Sequence, residues 1–438
     1  MKITVIGAGY VGLVTSVGLA ILGHEVNCID LDNDKISMLN LGKCPIYEIG
    51  IEERLLKLIK DTKLKFFTEY IDISNIVFLA VQTPPADDGS SDLQYIYTAI
   101  DSLLNNGFKN GLIVIKSTVP PGTNKQICNY LNSINKNNYK VSSNPEFLKE
   151  GNALFDFLNP NRIIIGTNEK RSSDILKQIY KPIIQKGTYC VCTDPTTSEL
   201  IKYSSNAFLA TKIALINELS DLSERVGANI NNLSLGIGLD HRIGREFLKV
   251  GPGFGGSCFP KDIKSLEKSF EKHGIESKIL KAVIKSNELR YKIIITKIKN
   301  ILGNIENKTL CILGLTFKAN TDDLRESPSI KIIELLLKSS VKIHVYDPKV
   351  KNRLPNDLDQ KVICFNNPRD ALYGTDALII ATEWEEFKNI PYEQIKDNNE
   401  IKSNIIIDLR NLLDMNFIKR SGFDYYCLGI DCTKICIS

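Results

Sequence analysis

The opening stretch "KITVIGAGYVGLVTSVGLAILGHEVNCID" constrains the fold more than any other part of the chain. A β-branched run at 2–7 meets three glycines spaced G-x-G-x-x-G. An apolar helical pattern follows at 10–22, then a second β-branched run at 25–30 that ends in Asp30. Each glycine has a physical task. Gly7 permits the tight turn off the strand, Gly9 lets a pyrophosphate approach the backbone, and Gly12 lets the helix seat closely on the strand. Tyr10 and Val11 open that helix, whose N-terminus favours an anion. Asp30 stands where a carboxylate accepts from a ribose diol and repels a 2′-phosphate, which points to NAD. Lys35 reads either as a charge near the phosphates or as a solvated lysine.

The alternation continues. Strand patterns at 76–81, 112–117, 140–144 and 162–166 are separated by helical ones, which implies βαβ units and a parallel sheet. Near Thr196 the pattern changes. One long helix runs to about Gly227, more helix follows to about 300, and no convincing strand interrupts it. Strands return at 308–314, 342–347, 376–382 and 404–409, and the plan of the first block recurs with Asp347 in the place of Asp30. The expected fold is α/β: two Rossmann-like doubly wound domains, at 1–195 and 303–438, joined by a central helical block at 196–302. A length of 438 residues accommodates this.

Composition narrows the partners. The net charge is +4 and the basic residues are spread along the chain, so no nucleic-acid partner is expected. The N-terminal apolar run carries glycine spacing rather than a leader pattern. No other run approaches the ~20 residues of a membrane span, so no membrane partner is expected. The eleven cysteines contain no C-x-x-C, and none of the four histidines lies at zinc-finger spacing from a cysteine pair. We therefore expect no disulfide framework and no metal, and reduced thiols in the cytoplasm.

Several segments could carry chemistry, and each has a bland reading beside the functional one. "VQTPP" and "KSTVPPGT" follow buried-looking strands, where α/β sheets bind ligands, so Thr83 and Thr118 either face the reacting centre or are turn residues. "NPEFLKEG" sets Glu146 and Glu150 on one face if it is helical, or is an ordinary charged helix start. In the long helix Lys202 stands one turn before Asn206. A lysine in an apolar helix needs a partner or snorkels to solvent. "GPGFGGSCFPKD" places Cys258 after four glycines, with Lys261 and Asp262 just beyond it. Local sequence leaves that cysteine open between a nucleophile and an inert packed thiol.

Taken in order, "GAGYVG", "PIYEIG", "STVPPGT", "NPEFLKEG", "KYSSNAF", "DHRIG", "GPGFGGSCFPKD", "GLTFKANTDDLRESPS" and "YDP" resemble the UDP-glucose/GDP-mannose dehydrogenase family across nearly the whole chain. The resemblance implies a twofold NAD-dependent oxidation of the C6 alcohol of a nucleotide sugar, through a thiohemiacetal and then a thioester on Cys258. Lys202 and Asn206 would steady oxyanions, and Glu146 would be the base for hydrolysis. Asp262 and Thr118 would hold a water. Gly7, Gly9, Tyr10, Val11, Gly12, Asp30, Lys35, Thr83, Thr118, Glu150, Lys261 and Arg325 would meet NAD. The UDP-sugar would meet Glu146, Phe147, Leu148, Lys149, Lys202, Asn206, Phe247, Gly255, Cys258, Lys318 and Arg410. Arg242 would reach the substrate site of a neighbouring subunit. The long helix would be the core of a homodimer or higher homo-oligomer. Ile49 departs from the proline often found there. "NPEFLKEG" followed by "NPNRIIIG" favours UDP-glucose over GDP-mannose, with a UDP-N-acetylhexosamine as the alternative.

Overall fold

The computed structural model describes residues 1–136, 138–350 and 354–431. They form two compact units: Met1–Ser205 with Lys261–Glu276, and Asn206–Pro260 with Ser277–Ser438.

The first unit is built on an eight-stranded sheet: β1 (Lys2–Ile6), β2 (Glu25–Ile29), β3 (Leu64–Phe67), β4 (Ile76–Leu79), β5 (Gly111–Ile115), β6 (Tyr139–Ser143), β7 (Arg162–Gly166) and β8 (Tyr189–Thr193). The spatial order is β3-β2-β1-β4-β5-β6-β7-β8. Its strands are apolar on both sides because both sides are covered. Successive side chains point to opposite faces, so Ile3, Val5, Phe78, Leu112 and Val114 join one buried cluster while Ile6, Val77, Leu79, Ile113 and Ile115 join another. The sheet departs from all-parallel at one place, where β7 meets β6 antiparallel through the single pair Ser143–Gly166. The sequence pattern missed β3 and β8. The first is short and interrupted by Lys65, and the second is a short edge strand with Tyr189 and Val191 exposed.

Helix α1 (Tyr10–Ile21) leaves the β1 turn and buries Leu13, Val14 and Val17. Gly7 has φ +98°, and a side chain on Gly12 would place its Cβ 1.8 Å from the Gly7 carbonyl oxygen. The long helix α2 is Pro195–Val226, 32 residues and about 48 Å. Its start is capped by Asp194, whose Oδ1 accepts the Thr197 N–H at 2.9 Å. Helix α3 (Phe259–Lys272) follows the glycine-rich loop.

The second unit carries β9 (Thr309–Leu313), β10 (Lys342–Tyr346), β11 (Ile363–Cys364), β12 (Ala377–Ile380), β13 (Ile405–Asp408) and β14 (Asp424–Cys427), with helices α4 (Lys278–Leu302) and α5 (Pro328–Leu337). The order β11-β10-β9-β12-β13-β14 is all parallel and repeats that of the first six strands of the other sheet. Both are the 3-2-1-4-5-6 order of a dinucleotide fold. The likeness extends to single bonds. The Gly7 N–H donates to Ile29 at the end of β2, and the Gly314 N–H donates to Tyr346 at the end of β10. The Ala8 N–H donates to Asp30 (2.6 Å), and the Leu315 N–H donates to Asp347 (2.8 Å). The recurrence of plan read from Asp30 and Asp347 is therefore present in the structure. It ends after the turn: α1 starts at once in the first unit, whereas fourteen residues, 314–327, precede α5 in the second.

Among the described residues no strand lies between β8 and β9, and no helix is long and apolar enough to cross a membrane. The described cysteines form no disulfide with one another. Because Gly12 has no space for a methyl group, Gly12→Ala should lower stability by about 3 kcal/mol, measured as the denaturant midpoint. An unchanged midpoint would mean that α1 is not seated on this glycine.

Candidate active site

The dinucleotide end lies at the C-terminal edge of β1 and β2. Asp30 is drawn in by three donors: the Ala8 N–H, the Asp32 N–H (3.1 Å) and the Lys35 ammonium (3.2 Å). Lys35 is thus paired with Asp30 in this structure. A Cβ at Gly9 would meet nothing within 4 Å, and no side chain caps the start of α1. Open space above the glycine and uncapped N–H groups behind it are what a pyrophosphate requires, so the residues present fit NAD.

A second group of side chains is buried. Residues 144–149 have no helical structure, so Glu146 and Glu150 do not share a helix face. Pro145 and the demands on Glu146 explain this. Glu146 Oε1 meets Lys202 Nζ at 2.8 Å, Oε2 accepts the Leu148 N–H at 2.5 Å, and both side chains of the ion pair are 5% exposed. Burial would push the Glu146 carboxyl up. The Lys202 ammonium and the Leu148 N–H outweigh it and hold the group below the usual carboxylate range. Lys202 therefore does not snorkel. Deleting either partner would strand a buried charge, at a cost of about 3–5 kcal/mol. Phe147 lies beside the pair, with the Arg162 guanidinium 3.8 Å and the Lys202 ammonium 5.5 Å from its ring centroid. The first turns of α2 are pinned so as to present Lys202. Ser198 bonds Ser143 at 3.0 Å, Glu199 accepts the Gly122 and Asn124 N–H groups, and Tyr203 is fully buried against Ser91 and Ser265.

The segment beyond Glu146 is clamped by a residue that the sequence reading passed over. Glu48 accepts the Gly151 N–H (2.8 Å), the Ala153 N–H (2.7 Å) and the Tyr10 hydroxyl. Tyr10 also receives the Gly151 N–H at 2.8 Å, and burial with the Glu48 contact raises its phenol. Glu150 lies close enough to Tyr10 to be felt electrostatically. Lys149 is exposed, with its own N–H on Asp156. A lone acid within the apolar loop "PIYEIG" was the available signal for Glu48.

Thr83, Thr118, Lys261 and Asp262 form a third group. The Thr83 hydroxyl donates to the Thr118 carbonyl at 2.9 Å. Lys261 Nζ reaches Thr83 Oγ1 at 3.5 Å and Asp262 Oδ1 at 2.7 Å, and Asp262 is only 1% exposed.

In the second unit, Cys258 is half-buried, 3.5 Å from Ser257 Oγ, and immediately precedes α3. Aligned peptide dipoles at a helix start favour an anion there. The loop behind it is held as a strand would be: Asn287 accepts the Phe254 N–H (2.9 Å) and donates to the Phe254 carbonyl (3.0 Å). Asn217 and Arg290 bond the two backbone groups of Gly251. The glycines make room for the chain itself. A Cβ on Gly255 would lie 2.1 Å from the Glu326 carbonyl oxygen, and one on Gly256 would lie 2.9 Å from the Phe317 ring. Arg325 pairs with Asp323, and its carbonyl takes the Gly256 N–H. Lys318 Nζ is 5.8 Å from the Phe317 ring centroid. Arg410 bonds the Phe317 and Ala381 carbonyls and pairs with Glu383. Phe247, at φ +64°, has its ring 6.0 Å from that of Phe259. Arg242 is paired only with Asp240 among its described contacts and is 79% exposed. Asn206 is buried one turn beyond Lys202 on α2.

Family models cover most of the chain. Residues 1–184 match the NAD binding domain of the UDP-glucose/GDP-mannose dehydrogenase family, 196–289 its central domain and 311–415 its UDP binding domain. The chain is 48% identical over 434 residues to a UDP-glucose 6-dehydrogenase of Rickettsia prowazekii, covering 98% of this chain and 99% of that one. The structure resembles that of a UDP-glucose dehydrogenase from Pyrobaculum islandicum, with a TM-score of 0.88 and 34% identity over 97% of this chain and 96% of that one. It also resembles a UDP-D-ManNAc dehydrogenase from Pyrococcus horikoshii, with a TM-score of 0.85 and 27% identity over 99% and 100%.

The Glu48 clamp can be tested without any ligand. Glu48→Gln replaces a charged acceptor by a neutral one and should cost about 2 kcal/mol of stability. It should also raise hydrogen exchange at the Gly151 and Ala153 amides. Unchanged protection at both would refute the clamp.

Proposed function

The chain belongs to the UDP-glucose/GDP-mannose dehydrogenase family, and we propose that it is a UDP-glucose 6-dehydrogenase, oxidising the C6 alcohol of UDP-glucose to the carboxylate of UDP-glucuronate. The observation that carries this reading is Cys258, set immediately ahead of a helix start with Lys261 and Asp262 in the first turn. The roles divide among residues 1–195 for NAD, 196–302 for the central block and 303–438 for the UDP-sugar.

NAD, when bound, accepts a hydride. Gly7, Gly9 and Gly12 with Tyr10 and Val11 would cradle its pyrophosphate, Asp30 would take the ribose hydroxyls, and Thr83, Thr118, Lys35, Glu150, Lys261 and Arg325 would complete its contacts. Overall, one alcohol, two NAD and one water give one carboxylate, two NADH and three protons. Cys258 Sγ adds to the C6 aldehyde left by the first oxidation, forming a carbon–sulfur bond. The second oxidation leaves a thioester, and attack by water breaks the carbon–sulfur bond and frees the acid. Glu146, held ionised, takes the proton from that water. Lys202 and Asn206 stabilise the oxyanions, and Asp262 with Thr118 orients the water. Phe147, Leu148, Lys149, Phe247, Gly255, Lys318 and Arg410 hold the sugar nucleotide. A cytoplasmic setting, where thiols stay reduced, suits an attacking cysteine.

A homodimer through α2 completes the reading. Phe208, Leu215 and Leu222 stand seven residues apart on this helix and are 67%, 51% and 55% exposed. A repeat of that period is a seam for a second helix. Arg242, also exposed, is available to the partner's substrate.

Two NADH should form per UDP-glucose, with much slower turnover of UDP-N-acetylglucosamine or UDP-N-acetylmannosamine. Cys258→Ser should abolish release of the free acid. Acid released at the wild-type rate by that variant would sink the covalent route. Leu215→Glu should halve the mass measured by light scattering, and an unchanged mass would exclude the α2 seam.

A further inference from the structure

Lys116, at the end of β5, is not used by any step above. It is 5% exposed, and its ammonium donates to one neutral acceptor, Asn144 Oδ1, at 3.0 Å. Its charge lies 5.9 Å from the centroid of the Tyr180 ring, whose hydroxyl shares the same Asn144 oxygen at 2.7 Å. Among the described residues no carboxylate lies within ion-pair distance of it. A buried ammonium so poorly matched is expensive, and the apolar strand β5 that runs into it has no need of one. Its surroundings indicate a use. Lys116 and Glu146 line one small cavity of about 40 Å³, together with Phe147, Asp156, Arg162 and Tyr180.

We propose that Lys116 is a positioning residue for thioester hydrolysis, its charge adding to that of Lys202 beside Glu146, on the cavity that Lys116 and Glu146 both line, without forming a direct ion pair. The inference rests on the function proposed above. With Lys116 protonated, the cluster of Lys116, Lys202 and Glu146 carries one net positive charge, which favours an anionic tetrahedral intermediate; without that proton the cluster is neutral. Burial, partly opposed by Glu146 and reinforced by Lys202, brings the Lys116 ammonium down to about 8. Of the other groups facing it, burial pushes the Tyr180 phenol up and out of range, and Arg162 stays cationic. The charge is therefore present below about pH 8 and is lost above it.

The test compares wild type, Lys116→Arg and Lys116→Met over a range of pH, following kcat by NADH and thioester decay in single turnovers. Wild type at neutral pH must first yield two NADH per UDP-glucose; if it does not, the functional reading fails and the test stops there. Given that stoichiometry, wild-type hydrolysis should fall as pH rises through about 8, by about tenfold for a charge worth about one pKa unit to the anionic intermediate. Lys116→Arg, which keeps its charge at all these pH values, should lose the alkaline fall while holding the neutral rate. Lys116→Met should be slow throughout, without the fall. A merely structural lysine would leave the alkaline limb in place in either variant, and that result overturns the proposal. If Lys116→Met does not fold, the profile of Lys116→Arg decides.

Discussion

Strands buried on both faces leave charged groups few places but the strand ends, and the candidate site residues of this protein are laid out accordingly. Val5 and Ile6 run into the Gly7 turn, Leu79 into the segment of Thr83, Ile115 into Lys116 and Thr118, and Ser143 into Asn144 and Glu146. All four sites sit at C-terminal ends of adjacent parallel strands, where the reversal of strand order opens a crevice. Burial then sharpens each group. A carboxylate and an ammonium that would be worth little on the surface become a tightly coupled pair when both are 5% exposed.

Much of this could be read from the sequence, because it depended on local pattern. The β1–α1–β2 unit, the long helix and the return of the strands at 308–314 follow from periodicity and glycine placement, and the structure agrees to within a few residues. The candidate residues were legible as motifs. Their partners were not. That Lys202 meets Glu146 depends on bringing together positions 56 residues apart (202 minus 146), for which one sequence offers no local signal. The condition attached to "NPEFLKEG", that it be helical, is not met, for the same reason. Spacing alone cannot show that Glu146 is drawn away to a buried Lys202 on another helix.

The glycine-rich loop shows how far local reasoning reaches. Four glycines signal crowding, and crowding there is, but from Glu326 and Phe317 of the same chain. What fixes the loop is Asn287, a side chain on α4 that pairs with Phe254 as a neighbouring strand would. The cysteine thus inherits its position from a helix with no chemistry of its own.

The two sheets share a topology but differ in what their acidic residues have left to offer. Asp347 Oδ2 is taken by the Leu315 and Thr316 N–H groups, the Thr316 hydroxyl and the Trp384 indole, and Oδ1 by the Lys349 and Val350 N–H groups. It is 4% exposed, with little capacity left for a ribose. Asp30 keeps an accessible edge. On the proposed reading, then, each chain has one berth for the oxidant, yet the reaction consumes two molecules of it. The spent cofactor must depart and a fresh one dock between the two oxidations, while the half-oxidised sugar waits. A covalent tether to Cys258 is what would keep that sugar from leaving during the exchange.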